Sequence, residues 1–237
     1  GAQPMASNSG RYHVTFNGEI YNFPLLRKEL SELGATFRGR SDTEIFLAAV
    51  EIWGLSQTLQ KINGMFAIVL WDRQTRTLHL IRDRLGKKPL YYGWAGKTFV
   101  FGSELKTLRR HPDFQARINQ AGLSLYMRQG YVCAPHSIYE QIWMLPPGHC
   151  LSLVLPKLSP GNELVNLPVP YWDPVRVMAQ ANPRTTTATT TEKTQATGSN
   201  AAARASRSPV RQAARQRRSR SGSAKPIDPS CRSVTHR

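Results

Sequence analysis

The 237-residue sequence predicts an α+β fold in which helices are layered on antiparallel sheet. Helix-period segments come first, short apolar runs separated by turn clusters follow, and strands and helices do not alternate in the manner of a parallel βαβ array. Tyr12–Phe16 alternates like a strand and runs straight into Asn17-Gly18. Phe23, Leu26, Leu30 and Leu33 then recur on one helical face that Gly34 closes. A second helix begins at Ser41-Asp-Thr-Glu44, which has the Ser-x-x-Glu form of a capping box, and runs through Ile45, Ala49 and Trp53 to a stop at Gly54. The runs 65–71, 78–81, 90–94 and 98–101 are short and rich in β-branched and aromatic residues, with turn residues at 72–76 and 95–97, and read as antiparallel strands. A further helix is expected over Ala121–Arg128 and a further strand over Gly148–Leu155.

Charge is unevenly distributed. The net charge is +17, but residues 1–173 carry 19 Lys/Arg against 13 Asp/Glu (net +6), whereas residues 174–237 carry 13 against 2 (net +11). That last quarter contains no Phe, Trp, Tyr or Leu, so it has little to bury against its ordering entropy and is expected to be disordered. Its Thr-rich and Arg/Ser-rich composition begins abruptly after about Met178, as an out-of-frame translation of a GC-rich gene would. Clustered Arg attracts phosphate nonspecifically, but the tail has no aromatic residue to stack on bases, so specific nucleic-acid recognition is not expected. The longest apolar run, Met65–Trp71, is too short to cross a bilayer, and residues 1–10 lack the basic flank and apolar stretch of a secretory signal. Three scattered cysteines without metal-ligand spacing point to a reduced, cytoplasmic setting and to no metal site.

The chemistry concentrates in Asn17-Gly-Glu-Ile-Tyr-Asn22. Taken alone, Asn-Gly reads first as a hairpin turn. Its functional reading is a pair of N–H donors, the Gly18 backbone and the Asn17 carboxamide, able to stabilise an oxyanion. Glu19 and Asp42 could hold a substrate ammonium, although carboxylates at positions 42 and 44 are also what a helix start favours. Ser103-Glu104 reads as the start of a helix carrying Leu105 and Leu108, and Arg82-Asp83-Arg84 as a structural ion-pair cluster.

Asn17–Asn22, Ser41-Asp-Thr-Glu44, Gly64-Met-Phe-Ala67, Trp71-Asp72, Arg82–Tyr92, Phe101–Lys106, Pro135–Tyr139 and Leu145–His149, in this order, resemble the class II glutamine amidotransferase domain of glutamine-hydrolysing asparagine synthetases. The resemblance implies an N-terminal-nucleophile fold, a four-layer αββα sandwich of antiparallel sheets. It also implies L-glutamine as substrate, an oxyanion hole at Asn17 and Gly18, and glutamine binding by Asn17, Gly18, Glu19 and Asp42. Ammonia would pass to a synthetase domain using aspartate, ATP and Mg2+, cofactors that this chain is not expected to hold, and the family's bacterial members imply a homodimer. The implied organisation is a partial amidotransferase domain over 1–158, a linker over 159–177 and the basic tail over 178–237. The family's nucleophile is an N-terminal cysteine, but the sequence starts at Gly1, and Cys133 and Cys150 read as structural. The fold is therefore expected to be incomplete, with an unpaired sheet edge. Amidotransferases acting on sugar or cell-envelope substrates and a nonspecific basic nucleic-acid-binding protein are the alternatives. Purified residues 1–237 are expected to release no ammonia from glutamine; sustained release in a coupled assay would overturn this.

Overall fold

Met65–Trp71 is apolar at successive positions, as a strand must be when both of its faces are buried. In the structure, a computed structural model describing residues 2–155, 159–160 and 168–181, both faces are buried. The elements in chain order are β1 (Met5–Ala6), β2 (Tyr12–Ile20), α1 (Phe23–Glu32), α2 (Asp42–Lys61), β3 (Gly64–Asp72), β4 (Thr77–Arg82), β5 (Tyr91–Ala95) and β6 (Thr98–Gly102). They continue with α3 (Leu105–Leu108), α4 (Gln120–Gln129), β7 (Ile142–Met144), β8 (His149–Val154), β9 (Val169–Pro170) and α5 (Pro174–Ala181). The larger sheet has the order β1-β2-β3-β4-β8-β9 and the smaller β6-β5-β7. All neighbouring strands are antiparallel, so the α+β expectation is met.

Alternation along β2 and β3 separates two cores. Tyr12, Val14, Phe16, Ile20, Phe66, Ile68 and Leu70 pack with Leu26 and Leu30 of α1 and with Ile45, Phe46 and Ala49 of α2. From the other face, Ala67, Val69, Leu80, Leu151 and Leu153 meet Leu90, Tyr92 and Leu145. The result is the helix–sheet–sheet order of the expected sandwich. Tyr92 lies between Phe99 and Trp143 at centroid distances of 6.5 and 6.1 Å, and burial pushes its phenol up to about 12.

Several local expectations are corrected. Asn17-Gly18 is not a turn: β2 runs through it to Ile20 because β3 supplies a partner at every position from Tyr12 to Ile20. Gly54 does break the second helix, with φ 75° and ψ 165°, but helical structure resumes beyond it to Lys61, with the Thr58 hydroxyl donating to Gly54 O at 2.8 Å. Only half of the capping box forms. Ser41 Oγ accepts from Glu44 N at 3.2 Å, while the Glu44 carboxylate accepts from Arg38 N and Gly39 N. Strands β1, β7 and β9 are too short to have shown a period.

Arg82-Asp83-Arg84 is not an ion-pair cluster; backbone answers its charges. Arg82 donates to the carbonyls of Lys88, Leu145 and Gly86 at 2.7–2.8 Å. Asp83, 1% exposed, accepts from the backbone N–H of Phe66, Leu85, Lys87 and Lys88. Arg84 donates to Gln60 O and Ile62 O. Tyr171 closes this region by donating its hydroxyl to Arg82 O at 2.8 Å, so the Tyr-Trp-Asp cluster does anchor the chain.

The expected open edge is present. β1 pairs with β2 only at His13 and Val14, and Thr15, Asn17, Gly18 and Glu19 are exposed. The free side of β6, at the margin of the smaller sheet, leaves Phe101 38% exposed. The chain divides into residues 1–174 and 175–237. In the second unit α5 crosses the boundary expected at 178 and buries none of its residues. The tail from 182 and the linker segment 161–167 lie outside the described residues. No helix among the described residues is long and apolar enough to cross a membrane.

The turn after β3 generates an acid-stability prediction. Arg11 grips Asp72 in a two-pronged contact, Nε to Oδ1 at 3.0 Å and Nη2 to Oδ2 at 2.7 Å, and Gln74 N and Thr75 N also donate to the carboxylate. These donors, Arg11 foremost, hold the carboxyl down from 3.8 to about 2. The folded value lies below the unfolded one, so the stabilisation is complete above about pH 4 and disappears as pH falls towards 2. Urea midpoints measured across that interval should fall for the wild type, and the Asp72→Asn variant should show a shallower decline.

Candidate functional site

Strand parity places the site. Tyr12, Val14, Phe16 and Ile20 point into the helix-side core, so Asn17 and Glu19 project from the opposite face of β2. The even positions also turn their backbone groups towards the β1 edge. Val14 lies there opposite Met5, and Phe16 is met by a side chain that imitates a peptide group: Gln3 Nε2 donates to Phe16 O at 2.9 Å and Gln3 Oε1 accepts from Phe16 N at 2.8 Å. Ile20 N donates to Asp42 Oδ2 at 3.0 Å. Between these two occupied positions, Gly18 N–H has no acceptor among the described residues.

Only glycine fits at position 18. Its φ is +154°, and a Cβ there would lie 2.0 Å from Met65 O and 2.6 Å from Phe66 Cα. The glycine therefore lets β2 lie against β3 while its N–H faces outward beside the Asn17 carboxamide. That carboxamide donates through Nδ2 to Ser103 Oγ at 3.0 Å. An amide nitrogen carries two protons, so one remains for a ligand.

The two candidate ammonium ligands are held differently. Glu19 is exposed, its backbone is paired with Met65 of β3, and its carboxylate makes no hydrogen bond or ion pair among the described residues. Asp42 joins the end of β2 to the start of α2, accepting from Ile20 N through Oδ2 and from Thr43 N at 2.8 Å through Oδ1. The helix-start reading of Asp42 is thus correct as far as it goes; Oδ1 also accepts from the Thr43 hydroxyl at 3.4 Å, and Oδ2 keeps a lone pair for a further donor. All four expected residues belong to the open end of β2 or to the helix start bonded to it.

Ser103 belongs to the Phe101–Lys106 motif, and sequence alone assigns it no role beyond a helix start. Glu104 does precede the four-residue helix α3, but Ser103 also reaches Asn17 from the other sheet, across 86 positions in sequence. The Phe101-Gly-Ser-Glu motif was the available signal; a spacing of this kind has no local period to reveal it.

Cys150 does not serve this site. It lies on β8 opposite Ile81, with β3 and β4 between that strand and β2, and burial pushes its thiol up to about 11. His79 is a satisfied core histidine: Nδ1 lies 2.8 Å from Ser152 Oγ, and burial lowers its pKa. Among the described residues no group of three or more His, Cys, Asp or Glu could hold a metal ion.

Comparison with known proteins gives this edge its context. The family described as glutamine amidotransferase domain matches residues 1–160, and the chain belongs to that family. Within it, the sequence is similar to asparagine synthetase [glutamine-hydrolyzing] 3 of Bacillus subtilis strain 168, at 39% identity over 155 residues, 64% of this chain and 25% of the relative. Asparagine synthetase [glutamine-hydrolyzing] 1 of the same strain is 35% identical over 148 residues, 62% of this chain and 23% of that one. The chain thus spans about a quarter of the length of the curated relatives it matches. Among solved structures, glutamine phosphoribosylpyrophosphate amidotransferase from B. subtilis, complexed with ADP and GMP, is 19% identical with a TM-score of 0.45, covering 65% of this chain and 30% of that one.

The close approach at Gly18 makes a direct prediction. Gly18→Ala would drive a methyl group into the β3 backbone and should cost about 3 kcal/mol or more of stability, or prevent folding, as read by urea denaturation followed by circular dichroism. A variant with unchanged midpoint would show that β2 and β3 do not approach in this way.

Proposed function

We propose that this chain is the glutamine-binding, ammonia-supplying portion of an asparagine synthase. The observation that carries the reading is the outward Gly18 N–H beside the Asn17 carboxamide, with Glu19 and Asp42 at the same open strand end, in a chain of the glutamine amidotransferase family. Family membership and the 35–39% identity to asparagine synthetases support it.

In this reading, Glu19 and Asp42 hold the α-ammonium of L-glutamine and orient its side chain along the edge of β2. Thiolate attack on the carboxamide carbon forms a C–S bond and moves an electron pair onto oxygen, where Gly18 N–H and Asn17 Nδ2–H stabilise the charge. The tetrahedral species collapses to a thioester as the C–N bond breaks, the proton given up by the thiol passing to the nitrogen that leaves as ammonia; water then attacks the thioester carbonyl, releasing glutamate and regenerating the thiol. Among the described residues, those at this edge supply binding and oxyanion-stabilising groups. Ammonia would be used by the synthetase portion of such an enzyme, where ATP with Mg2+ activates aspartate.

Calorimetric titration of the full chain with L-glutamine should give one site. Glu19→Gln, which removes a charge but no hydrogen bond within the described structure, should weaken binding about tenfold or more without shifting the Tm. Equal affinity of the variant and the wild type would remove Glu19 from the site, and absence of glutamine binding by the wild type would overturn the reading as a whole.

A further inference from the structure

We propose that Ser103 is a positioning residue for the Asn17 carboxamide, so that the second sheet aims one of the two oxyanion donors. The catalytic part of this inference rests on the glutamine reading above; the Ser103–Asn17 coupling can be tested without it.

Asn17 is exposed on the stretch of β2 that lies beyond the short β1 pairing, and an unrestrained Asn there would rotate about two side-chain torsions. A donor that must be ordered at each encounter contributes less to binding than one already in place, because its side-chain freedom is lost on binding. Ser103 Oγ, 3.0 Å from Asn17 Nδ2, removes much of that freedom. It takes one amide proton and leaves the other available, so it orders the donor without consuming it.

Ser103 is itself well placed to do this. It is half-buried, directly follows β6, whose Gly102 pairs with Tyr91, and directly precedes Glu104. Glu104 O accepts from Thr107 N at 3.2 Å to start the short α3 turn, and Leu108 of that turn is buried against Gly102. The Glu104 carboxylate is engaged by Lys106 at 2.8 Å, which leaves the Ser103 hydroxyl as the group from this loop that meets Asn17. Asn17 belongs to the larger sheet and Ser103 follows an edge strand of the smaller one, so the packing of the two sheets through Tyr92, Leu80 and Leu151 sets the position of the donor.

The test is two-dimensional NMR of side-chain amides on the 15N-labelled full chain, with Asn17→Ala identifying the Asn17 pair by its loss. In the unliganded wild type, the two Asn17 protons should be well separated, as one is hydrogen-bonded. Ser103→Ala should bring them together at positions typical of a solvated Asn and weaken L-glutamine binding roughly two- to tenfold. Ser103→Thr, which keeps the hydroxyl, should restore both, and the Tm should change little across the set. An Asn17 pair unmoved by Ser103→Ala, or a loss of affinity that Ser103→Thr does not restore, would overturn the proposal. Failure of the wild type to bind glutamine is a separate result. It removes the glutamine reading, while the unliganded spectra still decide whether Ser103 orders Asn17.

Discussion

The site exists because β2 and β3 are locked in one antiparallel register over nine residues, and a buried carboxylate holds that register from the far side. Phe66, the cross-strand neighbour of Gly18, donates its N–H to Asp83 Oδ2 at 3.3 Å and accepts from Asp83 N at 2.9 Å. The same carboxylate takes the N–H groups of Leu85, Lys87 and Lys88, and Asp83 O takes those of Gly86 and Gly148. A shift of one residue would turn the apolar side of β2 away from α1 and α2 and move Asn17 and Glu19 into the helix-side core. The register is therefore fixed by burial on two faces and by hydrogen bonds on both sides of β3.

Charge within this domain serves geometry more than long-range attraction. Arg82, Asp83 and Arg84 are answered almost wholly by backbone, which suits groups that leave water without a complementary ion in direct contact. Burial lowers the pKa of Arg82, with Asp83 opposing that effect. The edge of β2 is managed by the same means. Gln3 and Asp42 stand in for missing strand partners at Phe16 and Ile20, and between them the Gly18 N–H is left open among the described residues.

Much of the fold was legible because its elements obey short periods. The helical face Phe23–Leu33, the runs 65–71 and 78–81 and the helix at 121–128 all lie within two residues of observed elements. The misreadings share one cause. Asn17-Gly18 has the local signature of a turn, yet nine cross-strand partners extend it as strand. Ser41-x-x-Glu44 has the form of a capping box, yet the Glu44 carboxylate finds better donors in the preceding loop, at Arg38 and Gly39. Arg82-Asp83 looks like an ion pair until the carbonyls of Lys88, Leu145 and Gly86 are brought around the guanidinium. In each case a short-range rule was outweighed by partners that only folding supplies.

The sequence by itself determined the α+β class, the candidate residues Asn17, Gly18, Glu19 and Asp42, and the concentration of charge in the last quarter of the chain. These follow from composition, local period and motif order, which do not depend on where distant segments lie. Tertiary structure alone decided that Gly18 N–H is the open donor between two occupied edge positions, that Asp42 ties β2 to α2, and that Ser103 reaches Asn17 from the other sheet. Those are contacts between residues far apart in sequence. A hydrogen bond requires donor and acceptor within about 3 Å, a condition that no periodicity along the chain encodes.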